Sequence, residues 1–467
     1  MRRRGILLAI LGLCAAAAPV RAELPPIDHP WPPDPALYDP PGTEVAPGLR
    51  VGDTLGASNA EKAKDLLPPE VLKHYEHDEY RNPIASWPPA IIHWDRSFEE
   101  ATRANAGRYD LDPETGTIVE KGTRRQPAYI YGLPFPTIDP ADPQAGLKAE
   151  WNAIHNYWNT GSYHYLALLV WTRPHGVDRE SMQDVTFAYY ENQNPKYRYP
   201  NPENFSWQSL AVATTPADLQ GTAALTYRYR DPKRRDAVWT YVPALRRVRA
   251  VSPSNRSDGF LGSDLSQDDG NFFEGKPEDF VWTTVGVREG FRLADADSIK
   301  GEGGPPTWSE TGGWRDVWAK HRPAAGYQVP GWQGLAWAPA NGVLTKTKFM
   351  VVNAVPRDKY YLYGRLELWI DMNSWIGAWN RKFSWKDELL NTYQVEGYLN
   401  TPARREGSPE VEWVWSTQEA WQCAEAVKLD RATLAGLRSG PDSLFDRRVP
   451  LKVDQLFDIQ TLNRFGK

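Results

Sequence analysis

A period-two alternation of large apolar residues with polar ones dominates the middle of this chain. From Leu225 to Tyr229, the apolar residues alternate with Thr226 and Arg228, which is the pattern of a half-buried β-strand. Asp231-Pro232 ends this strand in a turn, and two more short alternating runs follow before Val251. Because strands joined by short turns pair in antiparallel fashion, the stretch predicts a β-meander.

The same alternation recurs along the chain, for example at Tyr163–Arg173 and Tyr360–Met372, and predicts ten or more strands in a large curved antiparallel sheet. One strong helix interrupts the strands between Pro143 and Gly161, and its apolar stripe consists of Leu147, Trp151, Ile154 and Trp158. A further helix is predicted from an N-cap at Asp430 to Arg438. The predicted fold is therefore mainly β, with a long helix inserted early in the chain.

The N-terminus has the features of a secretory signal peptide. Arg2, Arg3 and Arg4 precede a short apolar run, and small residues surround a cleavage point after Ala22. We predict residues 1–22 to be the signal peptide, residues 23–57 a proline-rich extended strap, and residues 58–467 a single domain with loop insertions, notably 293–342. The predicted location is the periplasm, with association with the outer membrane left open.

The composition of the mature chain excludes some function classes. Cleavage after Ala22 leaves 50 basic and 59 acidic residues, so the net charge is near −9 and nucleic acid is excluded as an expected partner. Only Cys423 remains after cleavage, so no disulfide framework is predicted. The chain has 21 tryptophans, which favours a large β core or a surface for flat apolar ligands or sugars.

An acidic loop follows the meander and fits neither the helix nor the strand period. Its characteristic residues are Gly262, Ser263, Asp264, Asp268 and Asp269. The carboxylates lack the alternating spacing of a calcium-binding loop, so we interpret them as acceptors of backbone N–H groups that fix the loop. The cluster His74–Asp78 lacks a second group of ligands that would complete a metal site. The sequence therefore predicts neither a metal nor another cofactor.

Two alternative functions remain open from the residues alone. The chain has no G-x-S-x-G nucleophile motif, but the carboxylate pairs Glu367/Asp371 and Asp387/Glu388 keep a secreted hydrolase possible in principle. Trp332 and Trp337 are candidate platforms of a glycan-binding envelope protein. Sequence spacing gives no distance between carboxylates, so no catalytic residue is predicted.

Aromatic strand faces predict a ligand cavity between the sheet and the helix 143–161. The ligand-binding candidates are Trp151, Trp158, Tyr227, Tyr229, Trp239, Leu366, Leu368, Trp379, Phe383, Trp385, Trp413 and Trp415. The alternative interpretation is that these residues only pack a core beneath the helix. The predicted partner is a hydrophobic small molecule or lipid, whose burial would contribute about 0.8 kcal/mol per CH₂ group.

Short motifs in and before the meander resemble those of the outer-membrane lipoprotein-sorting-like family of secreted Gram-negative proteins, and in particular a long domain-of-unknown-function branch of it. These motifs are Trp239–Pro243, Arg246–Val248, Gly262–Leu265, Asp268-Asp269, Gly52–Thr54 and Asn59–Leu66. The resemblance covers most of the mature chain. It implies an α+β, mainly β fold: an incomplete antiparallel barrel with helices covering its concave, apolar face.

The same resemblance implies a function in the cell envelope. A member of this family is expected to be a periplasmic carrier or chaperone, linked to outer-membrane transport and working beside an envelope transporter or an outer-membrane protein. This chain is much longer than the lipoprotein carriers, because it adds the proline-rich strap and the insertion 293–342. Its cargo therefore need not be a lipoprotein.

Overall fold

The computed structural model describes residues 40–86, 94–159, 161–295, 307–308, 314–315, 324–397, 401–404, 407–408, 411–414, 422–437, 445–447 and 451–464. The predicted signal peptide, the first half of the strap and Trp415 lie outside these ranges. The α-helices of the described chain are α1 (Pro69–Glu76), α2 (Arg96–Ala104), α3 (Ala145–Trp158), α4 (Val453–Leu456) and α5 (Ile459–Leu462). Helix α3 is the helix predicted between Pro143 and Gly161.

The strands before the acidic loop begin with three short pieces inside the predicted strap. They are β1 (Glu44–Ala46), β2 (Leu49–Arg50), β3 (Thr54–Leu55), β4 (Asn82–Ala85), β5 (Tyr109–Leu111), β6 (Ile118–Glu120), β7 (Tyr163–Arg173), β8 (Gly176–Tyr189), β9 (Phe205–Ala213), β10 (Ala223–Tyr229), β11 (Ala237–Val242) and β12 (Arg247–Val251). Strands β10, β11 and β12 pair in sequence order and form the predicted meander.

The strands after the acidic loop include the two longest described strands, which pair with each other. They are β13 (Phe280–Asp295), β14 (Thr307–Trp308), β15 (Trp314–Arg315), β16 (Gly342–Pro356), β17 (Arg365–Asp371), β18 (Gly377–Phe383), β19 (Leu389–Val395), β20 (Thr401–Arg404), β21 (Val411–Val414), β22 (Gln422–Ala426), β23 (Arg431–Leu437) and β24 (Phe445–Arg447). Strands β13 and β16 pair along their whole length, with one bulge between Thr284 and Gly286.

Most of these strands form one antiparallel sheet in the order β12-β11-β10-β9-β8-β7-β23-β22-β19-β18-β17-β16-β13. Within the described ranges, no ladder joins β12 to β13, so the large curved sheet stays open. Strand β4 adds to β16 in parallel, and β24 pairs with β7. This arrangement confirms the predicted fold class.

The helix predicted from Asp430 to Arg438 is wrong. Residues Arg431–Leu437 form β23, which is hydrogen-bonded between β7 and β22. Asp430 has a φ of 44° and belongs to the turn between β22 and β23, whereas an N-cap residue adopts an extended conformation. Two neighbouring strands thus supply the backbone partners, and these long-range ladders outweigh the local helix signal.

Both faces of the sheet are buried at its β16–β18 end. The inner face, which carries Met350, Val352 and Leu368, packs beneath α3 and the acidic loop. The outer face, which carries Phe349 and Trp369, packs against α1 and the short strands of the strap. At the opposite end, α4 and α5 cover the outer face of β8–β11. On β7–β9, the apolar stripe of α3 packs with Tyr163, Tyr189 and Trp207, and α3 leaves the rest of the inner face of β7–β10 uncovered.

Candidate ligand-binding cavity

The acidic loop, residues 256–274, crosses the inner face and is held there by ion pairs. Asp264 bonds the guanidinium of Arg431 at 2.9 Å. Asp268 accepts a 2.5 Å bond from Arg256, and the nitrogen of Lys382 lies 2.5 Å from Asp269. Further hydrogen bonds of the loop run from Ser263 to Leu265, from Ser266 to Asp269, from Tyr361 to Asp268 and from Trp171 to Gly262. The loop is thus fixed to β18 and β23, two strands far away in sequence.

A cavity of about 200 Å³ lies between the acidic loop and the inner face of the sheet. Its floor is made of small side chains, contributed by Ala167, Ser209, Ala211, Ala224, Thr226, Ala435 and Gly436, and its walls include Tyr165, Leu169, Val185, Phe187 and Trp207. A second cavity, of about 220 Å³, shares Ala211, Ala224 and Phe260 with the first. We call these two adjoining spaces the inner cavity. The small residues leave it open because their side chains are too short to fill the space beneath the loop.

A third space, the α3 chamber, lies beneath the helix, has a volume of about 80 Å³ and is lined by more ionisable side chains than the inner cavity. Trp151, Trp158 and Tyr229 line it together with Glu150 and His155. It meets the inner cavity where Asn271 and Glu274 line both spaces. Two largely apolar spaces therefore adjoin on the inner face, and the α3 chamber is the one with more ionisable side chains.

Burial shifts the titration of the acids and the histidine that line the chamber. It raises the pKa of Glu150 to about 8, and no partner charge opposes this shift. It raises the pKa of Glu274 to about 7 although Arg228 and Arg256 act in the opposite direction. It lowers the pKa of His155 to about 4. Near neutral pH, His155 is uncharged and Glu150 is mostly protonated.

The structure divides the predicted ligand-binding residues among several environments. Trp151, Trp158 and Tyr229 line the α3 chamber, and their role in ligand binding stays a prediction. Leu366 and Leu368 are buried in the inner-face core beneath α3. Like these two leucines, five further residues line neither space: Tyr227 and Trp239 beside α4 and α5, Trp379 in the outer-face core, Phe383 next to the Arg365 guanidinium, and the half-exposed Trp385.

Strand positions explain why this set does not converge. The sequence predicts one strand from Tyr360 onward, but β17 begins at Arg365, and Tyr360–Gly364 form a turn. Trp413 lies in β21, which pairs only with β20 in a separate two-stranded sheet, and Trp415 lies outside the described residues. The sequence predicted one shared apolar face for these residues. In the structure, Leu366 and Leu368 lie on the inner face of the sheet, whereas Trp379 lies on the outer face.

The residues behind the alternative functions are engaged in packing or ion pairs. Trp337 is buried and Trp332 is half-buried against the outer-face core, so the idea that they are exposed glycan platforms is wrong. The carboxylates proposed for hydrolysis form separate ion pairs, namely Glu367 with Arg381, Asp371 with Arg292, Asp387 with Arg365 and Glu388 with Lys428. This arrangement offers no observation in favour of either alternative.

Sequence reasoning missed two features of the site. Glu150 lies three residues after Leu147 and four before Ile154, so it falls on the apolar stripe of α3, and an acid at that position is the available signal. The small residues of the cavity floor, such as Ala211 and Ala224, carry no such signal. Alanine is common in cores, and only the distance to the loop shows that the space above it is empty.

His74, the first residue of the cluster His74–Asp78, connects α1 to the sheet. Its Nδ1 lies 2.7 Å from Glu79 and its Nε2 lies 2.9 Å from Glu425 on β22. Burial by itself would lower the pKa of His74, but hydrogen bonds to Glu425 and Glu79 raise it to about 9. Within the described residues, no three or more His, Cys, Asp or Glu side chains group as metal ligands would.

The raised pKa of His74 predicts a pH-dependent stability. Because the folded-state pKa is above the unfolded value of about 6.5, the stabilisation is complete below pH 6.5 and is lost as pH rises through 9. Between these limits, the free energy of unfolding should fall by about 3 kcal/mol more in the wild type than in His74→Gln. Urea unfolding at several pH values measures this difference, and parallel pH profiles would contradict the assignment.

Comparisons with known proteins agree with the sequence motifs. The sequence profile of the family described as "Protein of unknown function (DUF1329)" matches residues 54–422. No curated protein matches the chain. A crystal structure of a DUF1329 family protein from Desulfovibrio piger is similar, with 16% identity, a TM-score of 0.43, and coverage of 69% of this chain and 99% of that one.

Two further solved structures show similarity. One is described as an outer membrane lipoprotein-sorting protein domain from Vibrio parahaemolyticus, with 14% identity, a TM-score of 0.44, and coverage of 69% of this chain and 100% of that one. The other is a LolA superfamily protein from Nitrosomonas europaea, with 12% identity, a TM-score of 0.37, and coverage of 66% and 96%. The family match spans most of the sequence and confirms the resemblance seen in its motifs: this chain belongs to the DUF1329 family.

Proposed function

We propose that this protein is a periplasmic carrier that binds a hydrophobic ligand, a lipid or an acyl chain, in the inner cavity by reversible burial. The observation that carries the proposal is the space between the acidic loop and the inner face, whose lining is more apolar than polar. Its two parts, of about 200 and 220 Å³, together approach the size of small-molecule sites. Each buried CH₂ group would contribute about 0.8 kcal/mol.

The lining suits an elongated apolar ligand with a few polar atoms. Aromatic and aliphatic side chains form the walls, while the indole N–H of Trp207 and the amide nitrogen of Gln422 are buried without a hydrogen-bond partner. The predicted signal peptide supports a periplasmic location. Within the described ranges, no helix is both long and apolar enough to span a membrane. Delivery to an envelope transporter or an outer-membrane protein is part of this proposal.

Filling the inner cavity should abolish ligand binding without unfolding the protein. Ala211→Phe and Ala224→Phe each place a ring in the space that the ligand would occupy. We expect the affinity for a fluorescent fatty acid to fall at least about tenfold, which corresponds to about 1.4 kcal/mol. The unfolding temperature should stay the same or rise, because the ring fills an empty apolar space.

The matched control is Val285→Phe, because Val285 is exposed on β13 and lines neither part of the cavity. This variant should bind like the wild type. Native mass spectrometry of wild-type protein purified without detergent should detect bound lipid, and less of it in the two cavity variants. A wild-type protein that carries no lipid and shows no saturable binding of the fatty acid would refute the carrier function.

A further inference from the structure

The α3 chamber holds buried acceptor atoms that lack hydrogen-bond partners. Glu150 is 1% exposed, and neither of its carboxylate oxygens has a partner. Glu278, whose other oxygen accepts a bond from Thr117, has one unpartnered oxygen. The Nδ1–H of His155 donates to the Trp151 carbonyl at 2.9 Å, so its Nε2 carries a lone pair, and this atom is also unpartnered.

The cations that line the same chamber are already engaged. Arg230 pairs with Glu191 at 2.8 Å, and Arg228 pairs with Asp236 at 2.7 Å. The ammonium group of Lys276 donates to two backbone carbonyls, at 2.6 and 2.7 Å. Each buried polar group left unsatisfied costs about 1–3 kcal/mol. These three cations therefore leave the acceptor atoms of Glu150, Glu278 and His155 unpartnered.

We propose that the α3 chamber binds the protonated amine of an amphiphile whose apolar chain lies in the inner cavity, with Glu150 as the principal acceptor. This inference rests on the proposed carrier function. A primary ammonium group has three donors and no acceptor, which matches an acceptor-rich space. Its positive charge stabilises the ionised form of a buried carboxylate.

The dimensions and the connection of the two spaces agree with such a ligand. The chamber volume of about 80 Å³ is several times the ~10–15 Å³ that one water molecule requires on the same measure, so a small head group fits. Asn271 and Glu274 line both spaces, so a head group in the chamber can be continuous with a chain in the inner cavity. A neutral hydroxyl would also donate a hydrogen bond, but only a cation would favour the ionised form of Glu150, which is mostly protonated near neutral pH in the unliganded protein.

Titration calorimetry with submicellar dodecylamine and dodecanol tests this assignment. The wild type should bind the amine at least about tenfold more tightly than the alcohol. In Glu150→Gln, this preference should disappear. Glu278→Gln is a second variant, expected to reduce the preference partly. The matched control Glu388→Gln alters an exposed acid paired with Lys428 and should keep the full preference.

The outcomes separate this inference from the carrier function. Equal binding of both compounds by the wild type, as expected if water alone fills the chamber, overturns the amine assignment and leaves the carrier standing. Binding of neither compound overturns both. An amine preference that survives in both Glu150→Gln and Glu278→Gln overturns the placement in the chamber. Glu150→Gln removes an acid without partners, so we expect it to fold, and its melting curve verifies this.

Discussion

Replacing Lys382 with methionine is expected to lower the free energy of unfolding by about 3–5 kcal/mol. Lys382 on β18 is 1% exposed, and its nitrogen lies 2.5 Å from Asp269 of the acidic loop, which is 2% exposed. It also donates to Asn391 at 3.1 Å. Removing the ammonium group leaves a carboxylate buried beside apolar side chains, and such an uncompensated charge is far more costly than the loss of one contact.

Urea unfolding of the Lys382→Met variant measures this loss. The matched control is Lys428→Met, because Lys428 pairs with Glu388 on the surface, where both side chains are more than half exposed. That change should cost less than about 1 kcal/mol. The double variant Lys382→Met/Asp269→Asn should recover part of the stability, since it removes the stranded charge. A loss below 1 kcal/mol in Lys382→Met would show that the loop is not anchored by this pair.

Truncation of Trp379 to alanine is expected to lower the free energy of unfolding by about 3–5 kcal/mol and to leave ligand affinity unchanged. The indole is 0% exposed in the outer-face core, and its N–H donates to the Phe291 carbonyl at 2.9 Å. Because the inner cavity lies on the other face of the sheet, the cavity that the truncation creates does not reach the ligand.

Chemical unfolding and fatty-acid binding, the latter measured well below the melting temperature, test the two parts of this expectation. Trp385→Ala is the control for the loss of an indole, because Trp385 is 49% exposed and should cost far less. Weaker fatty-acid binding by Trp379→Ala at unchanged stability would place the ligand on the outer face. That result would return Trp379 to the set of ligand-binding residues predicted from the sequence.

The sequence predicted the fold best where a local pattern and a long-range partner agree. The strand predicted at Tyr163–Arg173 has the same bounds as β7, and the stripe on α3 is buried as expected. The sequence-based prediction was wrong at Arg431–Leu437, where it gave a helix but the structure has strand β23 between β7 and β22. Helix propensity is a weak local preference, whereas two ladders of hydrogen bonds satisfy the whole backbone of a strand.

The acidic loop shows the same limit for the site. Its carboxylates were interpreted as anchors through backbone N–H groups, and Asp269 does accept such a bond from Ser266 at 2.7 Å. The cations that also hold the loop, Arg431 and Lys382, come from strands more than 100 residues later in the sequence. Residue spacing contains no information about these pairs, so their identity could not be predicted.

By itself, the sequence determined the period-two strands, the amphipathic helix, the predicted export signal and the family. These features depend on neighbouring residues, or on motifs that survive as short strings. Only the tertiary structure decided which face each aromatic residue occupies, where an unfilled space remains, and that Glu150 lies there without a partner. A single bulge or a one-residue register shift moves side chains to the opposite face of a sheet, and a cavity depends on the distance between elements that are remote in sequence.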